Sequence, residues 1–207
     1  MARALMNAVL IAAMLSLLVP DAASAQVQRS ELTLAVGQLE RSVDRLGSRA
    51  PGKLVEAVRW LRGHAGSTNP AQISRPYLQA LTYAAAALEA DPTRLTIDDI
   101  ADELEAKVDH CEELGIGMGG SVQLRVNTRR GSQTVNNWQV FYLLKIYERA
   151  SGASANAFAT LSAPAETRLE PGRYWIWARD PATGRTSERT LLKVAGKQEF
   201  SVDLPVP

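Results

Sequence analysis

The hydrophobic period of this chain changes once, from about 3.6 residues to about 2, and so from the repeat of a helix to that of a strand. The change falls at Gly115-Ile116-Gly117-Met118-Gly119-Gly120, four glycines in six residues. Apolar side chains lie on a helical stripe before this run and on alternating strand positions after it, so the two parts must fold as different structural types. Four glycines so close together end a helix and join independent units, which places an expected linker at 116–120.

Before the glycines the helical repeat occurs four times. Leu32, Val36, Leu39, Val43 and Leu46 are spaced 4, 3, 4, 3 and share one stripe, which Gly47 ends. Pro51 opens a shorter segment with Leu54, Val58 and Leu61, Trp60 beside them and Gly63 closing it. Ser74 is placed to cap a third helix with Leu78, Leu81, Ala85 and Leu88, which Asp91-Pro92 stops. Thr96-Ile97-Asp98-Asp99 resembles a capping box for a fourth, whose stripe is Ile97, Ile100, Leu104, Val108 and Cys111. No such stripe is stable alone in water, so the four are expected to pack as an antiparallel bundle over 26–115.

After the glycines, Val122, Leu124 and Val126 alternate with polar neighbours, and Trp138 to Tyr147 is a long aromatic and β-branched run. Phe158 to Leu161 is short; Tyr174, Ile176 and Ala178 then alternate with Trp175 and Trp177, followed by Leu191 to Val194 and Phe200 to Leu204. Turn signals at Pro171-Gly172, Thr183-Gly184 and Ala195-Gly196-Lys197 separate these strands, the pattern of a β-sandwich over 121–207. The expected class is therefore α+β in two domains. Their charges differ in sign: residues 26 to 118 carry 10 basic and 14 acidic side chains, and 119 to 207 carry 12 and 7.

The closing strands, Phe158-x-x-Leu161, Leu169-x-Pro171-Gly172-x-Tyr174-x-Ile176-x-Ala178, Val194-x-Gly196 and Phe200-x-Val202-x-Leu204, resemble those of prealbumin-like domains, including the carboxypeptidase regulatory-like and Cna-B-type modules. The resemblance implies a hairpin at Pro171-Gly172, with glycine at positive φ, and Tyr174 and Ile176 in the core. It also implies an accessory role, as spacer, stalk or binding module without catalytic residues. The segment Ser162 to Arg168 and the long strand at Trp138 to Tyr142 depart from that pattern, and the helical half resembles no family we recognise.

Residues 1–25 bear on compartment. Arg3, an apolar run from Ala8 to Val19 and the small-residue site Ala23-Ser24-Ala25 are the three regions of a secretory signal peptide, so a periplasmic or secreted chain is expected. The rest holds no apolar stretch of membrane-spanning length. A net charge of +1 gives nucleic acid no basic face to bind, and one cysteine excludes an internal disulfide framework.

Catalytic signatures are missing. Neither His64 nor His110 belongs to a Glu-x-x-His or His-Glu-x-x-His motif, no nucleophile elbow occurs, and neither metal nor cofactor is expected. The glycine run follows a helix and precedes a strand, the reverse of a dinucleotide loop. Asp98, Asp102, Glu105, Asp109 and Glu112, spaced 4, 3, 4, 3, form an acidic stripe on helix four. Such a stripe is either a solvated face, partly neutralised by Arg41, Arg45, Lys53, Arg59 or the basic half, or a site for a weak divalent cation or basic partner. Cys111 continues an apolar stripe, which marks a buried thiol. Trp175 and Trp177, with Trp138 nearby, are candidate binding residues because the first two share the outer face of their strand. The expected function is binding or scaffolding in the cell envelope, toward an envelope protein, a glycan or a second copy of the chain. The alternative is an envelope hydrolase acting on glycan or peptide with the helix-four carboxylates and a histidine.

Overall fold

The computed structural model describes residues 22–69, 72–90, 92–148, 150 and 154–207, with side chains from residue 29 onward. Most of the expected signal peptide lies outside the described residues. Among the described residues, four α-helices, α1 (Ala22–Leu46), α2 (Gly52–Ala65), α3 (Arg75–Ala90) and α4 (Arg94–Leu114), precede eight strands. These are β1 (Val122–Arg130), β2 (Gln133–Thr134), β3 (Gln139–Leu144), β4 (Asn156–Ala157), β5 (Ala165–Leu169), β6 (Gly172–Arg179), β7 (Thr190–Val194) and β8 (Glu199–Pro205). The chain is thus α+β, a helical part followed by two packed sheets, as its periodicity implies.

Every residue of the four apolar stripes is buried. Sequential helices run in opposite directions, as an antiparallel bundle requires; α1 packs on both α2 and α3, and α2 packs on α4. Glu31–Arg75, Ser42–Ala85 and Arg45–Glu89 join α1 to α3 in increasing order, and α2 runs beside α4 in the same sense. Ser74 Oγ accepts from Tyr77 N at 3.1 Å and so caps α3. The cap of α4 is Thr93 rather than Thr96: Thr93 Oγ1 accepts from Thr96 N, and Thr96 joins the first turn.

Sheet A holds β1 with β5 and β2 antiparallel and β8 parallel; sheet B has the order β4-β3-β6-β7, all antiparallel. Val122, Leu124 and Val126 face the core from sheet A, and Val140, Tyr174, Ile176 and Ala178 from sheet B. Two expectations are corrected. Residues 158–161 form no strand, whereas residues 165–169, of which 165–168 belong to the segment that departs from the prealbumin-like pattern, form β5. Pro171-Gly172 is no hairpin: β5 belongs to sheet A and β6 to sheet B, so the turn carries the chain from one sheet to the other, and Gly172 is not among the positive-φ glycines.

Buried side chains of both parts form one connected apolar cluster. The glycine run connecting them is packed. Met118 is fully buried and Gly120 N donates to Gln72 O at 3.2 Å. A Cβ on Gly119, at φ +106°, would collide with that same carbonyl.

Candidate functional site

Helix α4 is buried on two sides. Its apolar stripe faces the bundle, and Glu103, Ala106, Lys107 and His110 are buried on the other. Lys107 and Glu103, each with a side chain 1% exposed, pair at 2.9 Å, as their i,i+4 spacing allows. Lys107 Nζ donates to Pro171 O at 2.5 Å and stands 4.8 Å from the centroid of the fully buried Tyr77 ring. Glu103 Oε2 accepts from Arg173 N at 2.8 Å. The Pro171-Gly172 turn therefore seats directly on this ion pair. A Cβ on Gly172 would stand 2.5 Å from Glu103 Oε1, so glycine is required for close approach and not for its φ.

Much of the acidic stripe serves the same junction. Asp102 pairs with both Lys53 and Arg173, Asp109 with Lys193 of β7, and Asp99, beside the stripe, with Lys145. Glu105 lies 4.0 Å from Lys53, Asp98 lies 3.8 Å from Arg94, and Glu112 is exposed. Among the described residues no group of three His, Cys, Asp or Glu side chains is arranged to hold a metal ion.

Between α2 and α4 lies a groove of about 410 Å³ lined by Trp60, His64, Glu105, Asp109 and Glu112 among others. The His64 ring stacks on Trp60 with centroids 3.9 Å apart, and its Nδ1, donating to Trp60 O at 2.8 Å, leaves Nε2 as the nitrogen able to accept a proton. His110 does not line this groove. It is buried against Gly120 with Nδ1 unpartnered, and burial lowers its pKa, with Glu113 opposing and Lys107 reinforcing the shift. Because the folded value lies below the unfolded value of about 6.5, the stability that depends on neutral His110 is present above that pH and lost as pH falls through the folded value. The urea midpoint is expected to drop as the pH falls below about 6.5, and His110→Gln to flatten that slope. An unchanged slope in the variant would contradict the assignment. Burial pushes the Cys111 thiol up to about 11, which keeps it protonated and unreactive.

The two sheets differ most in their outer faces. On sheet A, Arg125 pairs with Glu166 and Glu199, Arg129 with Asp203, and Gln123 and Asn127 bond to Glu166 and Asp203. The bond from Asn127, with Arg129 beside it, holds the Asp203 carboxyl below its usual range. On sheet B the corresponding positions are large and apolar, in registered rows across three strands: Leu143, Trp175 and Leu191, then Phe141 and Trp177. All five are half-buried.

Trp177 is enclosed within its own row. Phe141 stacks on it from the β3 side, centroids 5.8 Å apart at 16°, and the Arg189 guanidinium covers it from the β7 side at 4.7 Å. Trp175 Nε1 donates to Glu148 Oε2 at 2.9 Å. Trp138, proposed beside these two, is instead a core residue at 5% exposure and does not reach this face. Sequence reasoning did not identify Glu103 and Lys107 as buried; their i,i+4 spacing was the only signal. No family model, no curated protein and no solved structure matches the chain.

Proposed function

We propose that the chain is an exported, non-catalytic recognition module of the cell envelope that binds or scaffolds a protein through the outer face of sheet B. The observation that carries this reading is the contrast between the two outer faces. One sheet turns a ladder of ion pairs to solvent, and the other turns five large apolar side chains outward in register. Such a surface gains free energy when a partner removes it from water. A protein suits it better than a glycan, because sugar rings stack on free indole faces and those of Trp177 are occupied by Phe141 and Arg189. The signal-like first 25 residues support export, and the resemblance of the closing strands to prealbumin-like domains supports an accessory role.

The test is capture from envelope extract by residues 26–207. Trp175→Ala/Trp177→Ala is expected to lose capture by tenfold or more, on the order of a central aromatic hot spot. Arg125→Ala/Arg129→Ala, on sheet A, should retain it. Equal capture by both variants would refute the assignment of the face. The α2–α4 groove, which gathers His64 with the carboxylates of Glu56, Glu105, Asp109 and Glu112, supports the hydrolase as the second reading. Cleavage of envelope glycan or peptide that Glu105→Gln/Asp109→Asn abolishes would transfer the function there.

A further inference from the structure

A further cavity, of about 390 Å³, lies in the joint between the helical part and the sheets. Its walls come from the last turns of α3, the first turns of α4 and the short helical turn Lys145–Tyr147 that follows β3. Ala87 and Ala90, three apart and so on one face of α3, are too short to fill the space, and the buried Ile100 and Ile146 line it from the other two elements. A volume between about 300 and 1,000 Å³ is that of a small-molecule site, and such sites concentrate where structural units meet. Among the described residues the only charged groups of the wall are Asp99 and Lys145. Lys145 Nζ donates to Asp99 Oδ1, and the two side chains are 18% and 20% exposed, so the pair is closed on itself yet still reaches the cavity.

We propose that this cavity binds a small, uncharged and mainly apolar alcohol, an inference independent of the recognition face described above. The alanines and isoleucines select an apolar body. The ion pair selects the polar group. A carboxylate brought to it would meet the like charge of Asp99, and an ammonium that of Lys145, in a site largely shielded from water, where repulsion is strong. A hydroxyl adds no charge and is donor and acceptor at once. It can donate to Asp99 Oδ2, the oxygen that Lys145 leaves, and accept from Lys145 Nζ, whose ammonium has hydrogens beyond the one given to Asp99.

Methyl NMR of residues 26–207 with labelled isoleucine reads the site directly, because Ile100 and Ile146 line it while Ile73 and Ile176 do not. Heptanol is expected to move the Ile100 and Ile146 signals saturably, with Kd on the order of 1 mM. Heptanoate and heptylammonium, of the same chain length, should bind about tenfold more weakly. Ala87→Leu and the exposed Ala90→Leu, which fill the space, should each lose the heptanol shifts, with the Ile73 and Ile176 signals unmoved as the sign of an intact fold. Asp99→Asn leaves the Lys145 ammonium without its carboxylate and should invert the order, heptanoate then binding about tenfold tighter than heptanol. No saturable shift at Ile100 and Ile146 overturns the site. Heptanol shifts that survive both leucine variants place the binding elsewhere and also overturn it. A parent chain that takes heptanoate or heptylammonium as well as heptanol, or an order that Asp99→Asn does not invert, refutes the alcohol as the class selected by the ion pair.

Discussion

Lys107→Ala is expected to destabilise the folded chain by about 3–5 kcal/mol, because it leaves Glu103 charged and buried without its cation. Both side chains of the pair are 1% exposed, and Lys107 also holds Pro171 O, so the change removes a contact between the helical and β parts as well as an ion pair. The double variant Glu103→Leu/Lys107→Met should recover most of the loss, since an apolar pair of similar volume needs no compensating charge. Urea unfolding monitored by tryptophan fluorescence measures both. If the single variant lies within about 1 kcal/mol of the parent, a difference typical of an exposed pair, the pair does not hold the junction.

Gly119→Ala is expected to cost about 2–5 kcal/mol, combining about 1–2 for a side chain in left-handed backbone with about 1–3 for overpacking. The new Cβ would collide with the backbone carbonyl of Gln72, which accepts from Gly120 N and cannot turn away as a flexible side chain could. Gly131→Ala is the control: its φ of +60° is also positive, but nothing stands within 4 Å of an added Cβ. It should show the backbone cost alone. Equal losses at the two positions would mean that the glycine run is not seated on the bundle, and would favour a linker open to proteolysis between Gly115 and Gly120.

The site was legible only in part. That Trp175 and Trp177 turn outward while Tyr174, Ile176 and Ala178 turn inward follows from alternation along one strand, which needs no knowledge of what lies across from it. That Trp177 is covered on both faces depends on Phe141 and Arg189, brought beside it by strand pairing. Trp138 has the same residue type and is a core residue: it lies just before β3, in step with the buried Val140 and Leu144, and which alternating set of that segment is covered depends on what packs over it.

Local periodicity determined the four helical stripes, the change of structural type at the glycines and the buried face of β1 and β6, since each is a relation between residues a few positions apart. It did not reveal β5, whose Ala-Glu-Thr-Arg-Leu sequence has no apolar run and is a strand because β1 pairs with it from some forty residues away. Nor could it separate Glu103 and Lys107 from the exposed charges of α4. A charged side chain is buried or solvated according to what packs over it. Here that is the Pro171-Gly172 turn, more than sixty residues further along the chain, which reaches α4 only when the sheets have formed.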